Sequence, residues 1–360
     1  MPPELLTDQQ VAQSGRAIEA VQERDGAVPW TVGGHTDVWN HVEAAMALLV
    51  AERYDAVERA WTWVRETQRH DGSWPMRTVA GVVEDPGSES NMAAYVAVGV
   101  WHHWLVRRDL EFVTASWPVV RRALDLVCRL QLPFGGISWA QGWDGGRPAE
   151  SFPDALLTAS SSIHHALRAG LTLAELLDEP QPGWEIAAGR LGHALREHRD
   201  RFLDNSTYSM DWYYPVLCGA VRGAAGRALI DSRWHDFVVP GLGVRCVDTD
   251  PWVTGAESCE LALALDALGD REEATRLFVD AQHLRNEDGG YWTGYVYPDD
   301  VHWPAEHTTF TTAAVLLAYD ALAGRTPGSD LVRGAGLVPD PEPLALECGC
   351  ASADALARHA

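Results

Sequence analysis

The chain has no lysine: all 28 of its basic residues are arginine. Without an ε-amino group there is no Schiff-base nucleophile and no GxxxxGK[ST] phosphate loop. Positive charge is scarce altogether, with 51 acidic residues against those 28 and a formal net charge of −23. Nucleic acid and anionic membrane surfaces both need Lys and Arg to neutralise phosphate, so neither is an expected partner. There are only six cysteines (Cys128, Cys218, Cys246, Cys259, Cys348, Cys350) and no CxxC spacing, which favours idle or buried thiols over a disulfide framework. No apolar run reaches the roughly 18 residues a membrane span needs, and the start MPPELLTDQQ lacks a basic segment followed by an apolar one. A cytoplasmic protein is expected. HExxH, GxSxG and GxGxxG are missing too, and the adjacent pairs His102-His103 and His164-His165 diverge on a helix. Neither a metal nor an organic cofactor is expected.

What is present is ample core material, 46% hydrophobic residues with 16 tryptophans in 360 positions, and a repeat. The stretch Gly33 to Leu49, GGHTDVWNHVEAAMALL, reads as a turn, an acid able to cap a helix, and a helix with Val42, Ala45, Met46 and Leu49 at helical spacing. An amphipathic helix from Tyr54 to Arg69 follows and ends at HDGSWPM, making one αα-hairpin. Acid-led helices of small, apolar residues return at Glu89, Asp154, Asp211, Glu257 and Glu306, at intervals of roughly fifty residues. The first five have an amphipathic partner behind them, and the helix from Glu4 to Glu23 supplies the sixth if the chain closes head to tail. The expected fold is therefore all-α, an (α/α)6 toroid of six inner and six outer helices with short β-hairpin loops, spanning residues 1 to 325. An open helical solenoid is the alternative; its end repeats should be polar, and these are not. Residues 326 to 360, rich in Pro and Gly, read as a strap and a loose tail.

In such a ring the inner helices point the same way, so the six acids line one mouth. A single one has an ordinary explanation as a helix cap favoured by the dipole, but six facing one cavity do not. Two carboxylates across a cavity are the minimum for hydrolysing a glycosidic bond, one giving a proton to the leaving oxygen and the other acting from the opposite face. Aromatics read as loop residues beside the acids (Trp39, Trp212, Tyr213, Tyr214 and Trp252) suit the apolar faces of sugars. With Asn40, Asp154, Asp211, Asp250 and Glu306 they form the expected substrate-binding set. Trp74 and Trp292, behind Asp-Gly turns, plug the hairpins instead.

The turns HDGSWPM and EDGGYWTG resemble those of the squalene cyclase and prenyltransferase superfamily, yet the nearest approach to its DxDD motif is Asp248-Thr-Asp250-Pro251. DVWNHVEAAMAL (Asp37 to Leu48), LLTASSSIHHALR (Leu156 to Arg168) and PAEHTTFTTAAVLLAYDAL (Pro304 to Leu322) resemble inverting (α/α)6 glycosidases. Length and motif set are most similar to the mycobacterial methylmannose polysaccharide hydrolases, over residues 1 to about 325. That resemblance implies an endo-acting, inverting α-mannosidase, with Asp37 and Glu257 matching the two catalytic acids. Asp37, flanked by Val38 and Trp39, then suits the proton donor and Glu257 the base, or the reverse; Glu260 is a candidate buried structural acid. The implied partner is a neutral poly- or oligosaccharide, met by a monomer or homodimer. An isoprenoid-handling enzyme and a non-catalytic glycan-binding toroid are the competing readings, separable by diphosphate dependence and by survival of the glycan.

Overall fold

A computed structural model of the protein describes residues 5–340. Six inner elements run alongside one another: α2 (Val38–Val50), the pair α4 (Ser90–Ala94) and α5 (Val96–Arg107), α7 (Leu157–Leu176), α9 (Ser209–Leu217), α11 (Gly255–Ala267) and α13 (Thr309–Ala323). Each packs on the next, α2 on α5, α5 on α7, α7 on α9, α9 on α11 and α11 on α13, and α13 packs back on α2. The ring is closed. Around it lie α1 (Asp8–Val21), α3 (Tyr54–Thr67), α6 (Leu110–Arg129), α8 (Pro182–Glu197), α10 (Gly223–Phe237) and α12 (Arg271–Asp280). The first helix packs on both α13 and α2, filling the place of the last hairpin's missing partner.

Inner and outer helices differ because their surroundings do. Every residue of α2 is buried, Asn40, His41 and Glu43 included, and its many alanines let neighbouring backbones approach. The outer α3 buries one stripe only, Ala56, Val57, Ala60, Trp61, Trp63 and Val64, as expected of a helix with solvent on its far side.

A repeated staple joins successive outer helices. Gln22 donates its amide to the carbonyls of Gly26 (3.0 Å) and Ala56 (2.9 Å), Gln68 to those of Gly72 (3.1 Å) and Val119 (2.9 Å), and Gln131 to those of Gly135 (3.0 Å) and Ala187 (3.0 Å). One glutamine thus ties its own turn to the backbone of the next outer helix. At the seam Arg285 takes this place, donating to Ser14 Oγ at 3.0 Å, while Ser14 Oγ donates to the Gly289 carbonyl at 2.8 Å. The four turn glycines all have positive φ, and a methyl on any of them would run into the backbone of that next helix. This is what the three Asp-Gly turns, and the Phe134-Gly135 turn, are for.

The two ends of the ring are built differently. At the end where inner helices begin, three small antiparallel sheets rise: β1-β2-β3 (His35–Thr36, Arg77–Val79, Val82–Asp85), β4-β5-β6 (Ser88–Glu89, Ala140–Asp144, Arg147–Ser151), and a five-stranded sheet of β7 (Val238–Val239), β8 (Gly243–Arg245), β9 (Trp252–Thr254), β10 (Gly294–Val296) and β11 (Val301–His302). At the other end the segment after α13 crosses the ring. Its carbonyls at Val332 and Val338 accept from Arg222 (2.6 Å) and Arg168 (2.9 Å), and Asp340 bridges His164 (2.8 Å) and Arg196 (2.6 Å). Residues 326 to 340 thereby floor the ring; the expected tail, with Cys348 and Cys350, lies outside the described residues.

Candidate active site

Each mouth sheet delivers one carboxyl to the head of an inner helix. Strand β1 runs into Asp37, the N-cap of α2; its Oδ1 accepts from the Asn40 backbone N–H at 2.9 Å and its Oδ2 from the Asn40 side-chain amide. Asp37 is buried, and burial raises its pKa against the pull of these hydrogen bonds. His35 Nε2 stands 3.7 Å away, but burial lowers the pKa of that imidazole, so the contact carries less charge than its length suggests. Strand β4 ends in Glu89, at the head of α4, whose carboxyl is pushed up to about 7 by burial and then by the charges of Asp37 and Asp85. Strand β9 leads into α11, with Glu257 in the first turn. The Cys246 thiol lies against Glu257, and burial together with that carboxylate raises the thiol's pKa.

A second carboxyl tier sits deeper. Glu260, one turn beyond Glu257, accepts from the Tyr214 hydroxyl at 2.8 Å and from Tyr213, and its pKa is raised to about 8, chiefly by burial and also by Glu257. Glu43, two turns into α2, accepts from Tyr95 at 3.1 Å through Oε1, and burial with the nearby Glu260 holds its pKa well above the carboxylate range. Its Oε2 is buried with no hydrogen-bond partner among the described residues. Trp39 stacks on Tyr95 with centroids 3.9 Å apart. Beneath these groups lies an axial cavity of about 60 Å³, walled by Met46, Val98, Leu217 and Leu263 and bottomed by the strap residues Leu331 and Val332.

The residues singled out from the sequence divide. Trp39 and Tyr214 line the axial cavity, Asp37 and Asn40 stand together at the head of α2, and Glu257 stands at the head of α11, close enough to Tyr213 for its charge to be felt there. Trp39 belongs to helix α2, and Trp212, Tyr213 and Tyr214 to helix α9, rather than to loops. Glu306 stays on the rim, accepting from Trp30 Nε1 at 3.0 Å, with Trp30 stacked between His35 and Phe310. Trp252 is also on the rim, its Nε1 donating to the Trp303 carbonyl at 2.7 Å and its ring edge-on to Trp303, and Asp250 sits in the exposed turn before it. The other three point elsewhere. Asp154 is exposed, and α7 begins three residues later with Leu156 as its N-cap. Asp211 accepts from the backbone N–H of Thr158 at 3.2 Å and from its hydroxyl, so it caps α7, its neighbour's helix. Trp212 turns outward, stacked on Phe237 with its Nε1 on the Leu229 carbonyl at 2.9 Å.

Glu43 and Tyr95 escaped the sequence reading. Glu43 had a signal, as the lone acid inside an otherwise apolar helix; Tyr95 gave none, since it sits in a run of Ala and Val like any core aromatic.

A closed ring of αα-hairpins with tiers of carboxyls at one mouth is the architecture of the (α/α)6 carbohydrate-active toroids. Solved structures agree on the fold: a wild-type glycosidase matches with a TM-score of 0.71 at 18% identity, covering 89% of this chain and 97% of its own, and a D-mannose isomerase with 0.68 at 10% identity, covering 88% and 97%. No described family profile matches the chain. A protein of Mycolicibacterium hassiacum, named MMP endo-(1,4)-3-O-methyl-alpha-D-mannosidase, is 53% identical over 356 residues, 98% of this chain and 96% of that protein. The chain belongs to the family of that mannosidase.

Proposed function

We propose that the protein is a glycoside hydrolase that cuts inside α-1,4-linked, 3-O-methylated mannose polysaccharide, with inversion. The observation that carries this reading is the 53% identity across nearly the whole chain to a protein named for that activity. The site supports it. Asp37, its proton held by burial, protonates the departing glycosidic oxygen; Glu257, at the head of α11, draws a proton from the water that attacks the anomeric carbon from the other face. Trp39 and Tyr95, and on the rim Trp30 and Trp252, offer flat faces to the sugar chain. A neutral, half-apolar polymer suits a chain of net charge −23, whereas an acid-ringed mouth repels a lipid diphosphate. The enzyme acts in the cytoplasm, as a monomer or homodimer, with no cofactor.

The test is product analysis after incubation with α-glucans, α-mannans and methylated mannans. Methylated α-1,4-mannan should be shortened to internal fragments, and proton NMR of the first products should show the inverted β-anomer. Intact methylated mannan with cleavage of another glycan refutes the substrate; first products of α configuration refute inversion.

A further inference from the structure

We propose that strand β8 and the cysteine that follows it are the positioning element of the base. The clamped backbone aims the Cys246 thiol at Glu257, and that weak donor orients the carboxylate without spending its basicity. The inference rests on reading Glu257 as the base and adds to it the residues that hold it.

The clamp is built outward from α11. Ser258, next to Glu257 and fully buried, donates its hydroxyl to the Thr254 carbonyl at 2.6 Å and accepts from the Val244 backbone N–H at 2.8 Å. Gly243, with φ +129°, makes room for this bond, since a Cβ there would stand 2.4 Å from the Ser258 Oγ. Arg245 ties the opposite face of the strand, donating to the Tyr297 hydroxyl at 2.7 Å and to the Asp236 carbonyl at 3.2 Å. The Cys246 carbonyl then accepts from the Ser209 N–H at 2.9 Å, at the first residue of α9. Residues 243–246 are thus fixed between the heads of α9 and α11. Alternation along the extended chain puts the Cys246 side chain on the same side as the buried Val244, and its thiol donates to the Glu257 carboxylate.

The other groups around Glu257 leave this task to the thiol. Those that sense its charge are Cys246 itself, Tyr213 on α9, and Cys259 and Glu260 on α11. The hydroxyls of Tyr213 and of its neighbour Tyr214 go to Glu260. Burial keeps Cys259 protonated, and Glu260, raised to about 8, is largely uncharged near neutrality. No arginine or histidine pairs with Glu257 among the described residues. A guanidinium or a hydroxyl in the place of the thiol would hold the anion tightly and make it a poorer base, whereas S–H is a weak donor that fixes direction at little cost in basicity.

Two measurements test this. The first is the pH profile of kcat/KM on methylated α-1,4-mannan. Cys246→Ser, a stronger donor to the anion, should move the acid limb down by about half a pH unit. Cys246→Val keeps an apolar side chain but no donor; it should move that limb up and lower kcat by about tenfold or more at little changed KM, with Cys246→Ser retaining more of the turnover. Cys128→Ser, on the outer helix α6, is the control and should leave the profile in place. The second is independent of turnover. The infrared difference between wild type and Cys246→Val isolates the S–H stretching band of this thiol, and in Glu257→Gln protein the band should move to higher frequency, because a charged acceptor has become a neutral one. If no mannan is cleaved but the band moves, the orientation of Glu257 by the thiol stands and the hydrolase reading falls. A band indifferent to Glu257, or an acid limb unmoved in both folded Cys246 variants, overturns the proposal and leaves Cys246 as packing.

Discussion

Substituting Gly289 by alanine tests how the ring is closed. Gly289 has φ +93°, and a Cβ there would stand 2.7 Å from the Gln13 carbonyl carbon and 2.8 Å from its Cβ, both on α1. Gly81, at the tip of the β2–β3 hairpin, is the matched control: its φ is +75° and no atom lies within 4 Å of an added Cβ. Both variants carry the backbone strain of a left-handed alanine, about 1–2 kcal/mol. Only Gly289→Ala must also push against the backbone of α1, an overpacking cost of about 1–3 kcal/mol. The shift should also weaken the hydrogen bond from Ser14 to the Gly289 carbonyl, now 2.8 Å. Gly289→Ala should therefore lose about 2–5 kcal/mol and Gly81→Ala about 1–2, read as urea midpoints, with faster proteolysis within residues 8–21 in the first variant only. Equal losses would refute the reasoning, because they would mean that the turn does not bear on α1.

Asp37→Asn and Glu257→Gln should each leave a folded protein that binds glycan but turns over at least about 10²-fold more slowly, the usual worth of general acid–base catalysis; near-normal turnover in either moves that role to another carboxyl. Glu89, with its pKa near 7 beside Asp37, becomes charged as pH rises and then tightens the Asp37 proton. In Glu89→Gln that restraint is gone, so the alkaline limb of the pH–kcat profile should move to lower pH; an unmoved limb would show that the two carboxyls do not sense each other. Asp340 is depressed to about 2 by His164 and Arg196, and because burial lowers the His164 pKa and so favours its uncharged form, Arg196 supplies the charge. A depressed acid stabilises above its ordinary pKa and loses that contribution as pH falls toward 2, so Asp340→Asn should cost about 2 kcal/mol near pH 6, with the gap to wild type closing on acidification. A gap that is constant with pH would show that Asp340 acts by packing alone.

The ring was legible because its signals are local and repeated: an acid near the start of each apolar helix, an amphipathic helix behind it, and in most hairpins a glycine turn after that. Even the closure by the first helix followed from counting. The site was less legible, and Asp211 shows why. A carboxylate at the head of a helix looks the same in sequence whether it caps its own helix, as Asp37 does, or reaches across to Thr158 on its neighbour. Trp212 failed similarly, since a residue beside a mouth acid can face the axis or, one hundred degrees round the helix, the outer layer. The deep tier depends on which atoms meet across the ring, Glu43 with Tyr95 and Glu260 with Tyr213 and Tyr214, and no spacing along the chain encodes that.

The strap that floors the ring also decides how a polymer can be handled. A toroid open at both ends could thread its substrate, sliding along it and releasing pieces from the back. Here Val332 and Val338, tied by Arg222 and Arg168, seal the back, so a chain can only be laid across the mouth, with one unit dipped toward the axis and both flanks running out over the rim. If the protein cuts mannan as proposed, this shape predicts release after each cut. Its products should shorten as a scatter of lengths, not march down from one end.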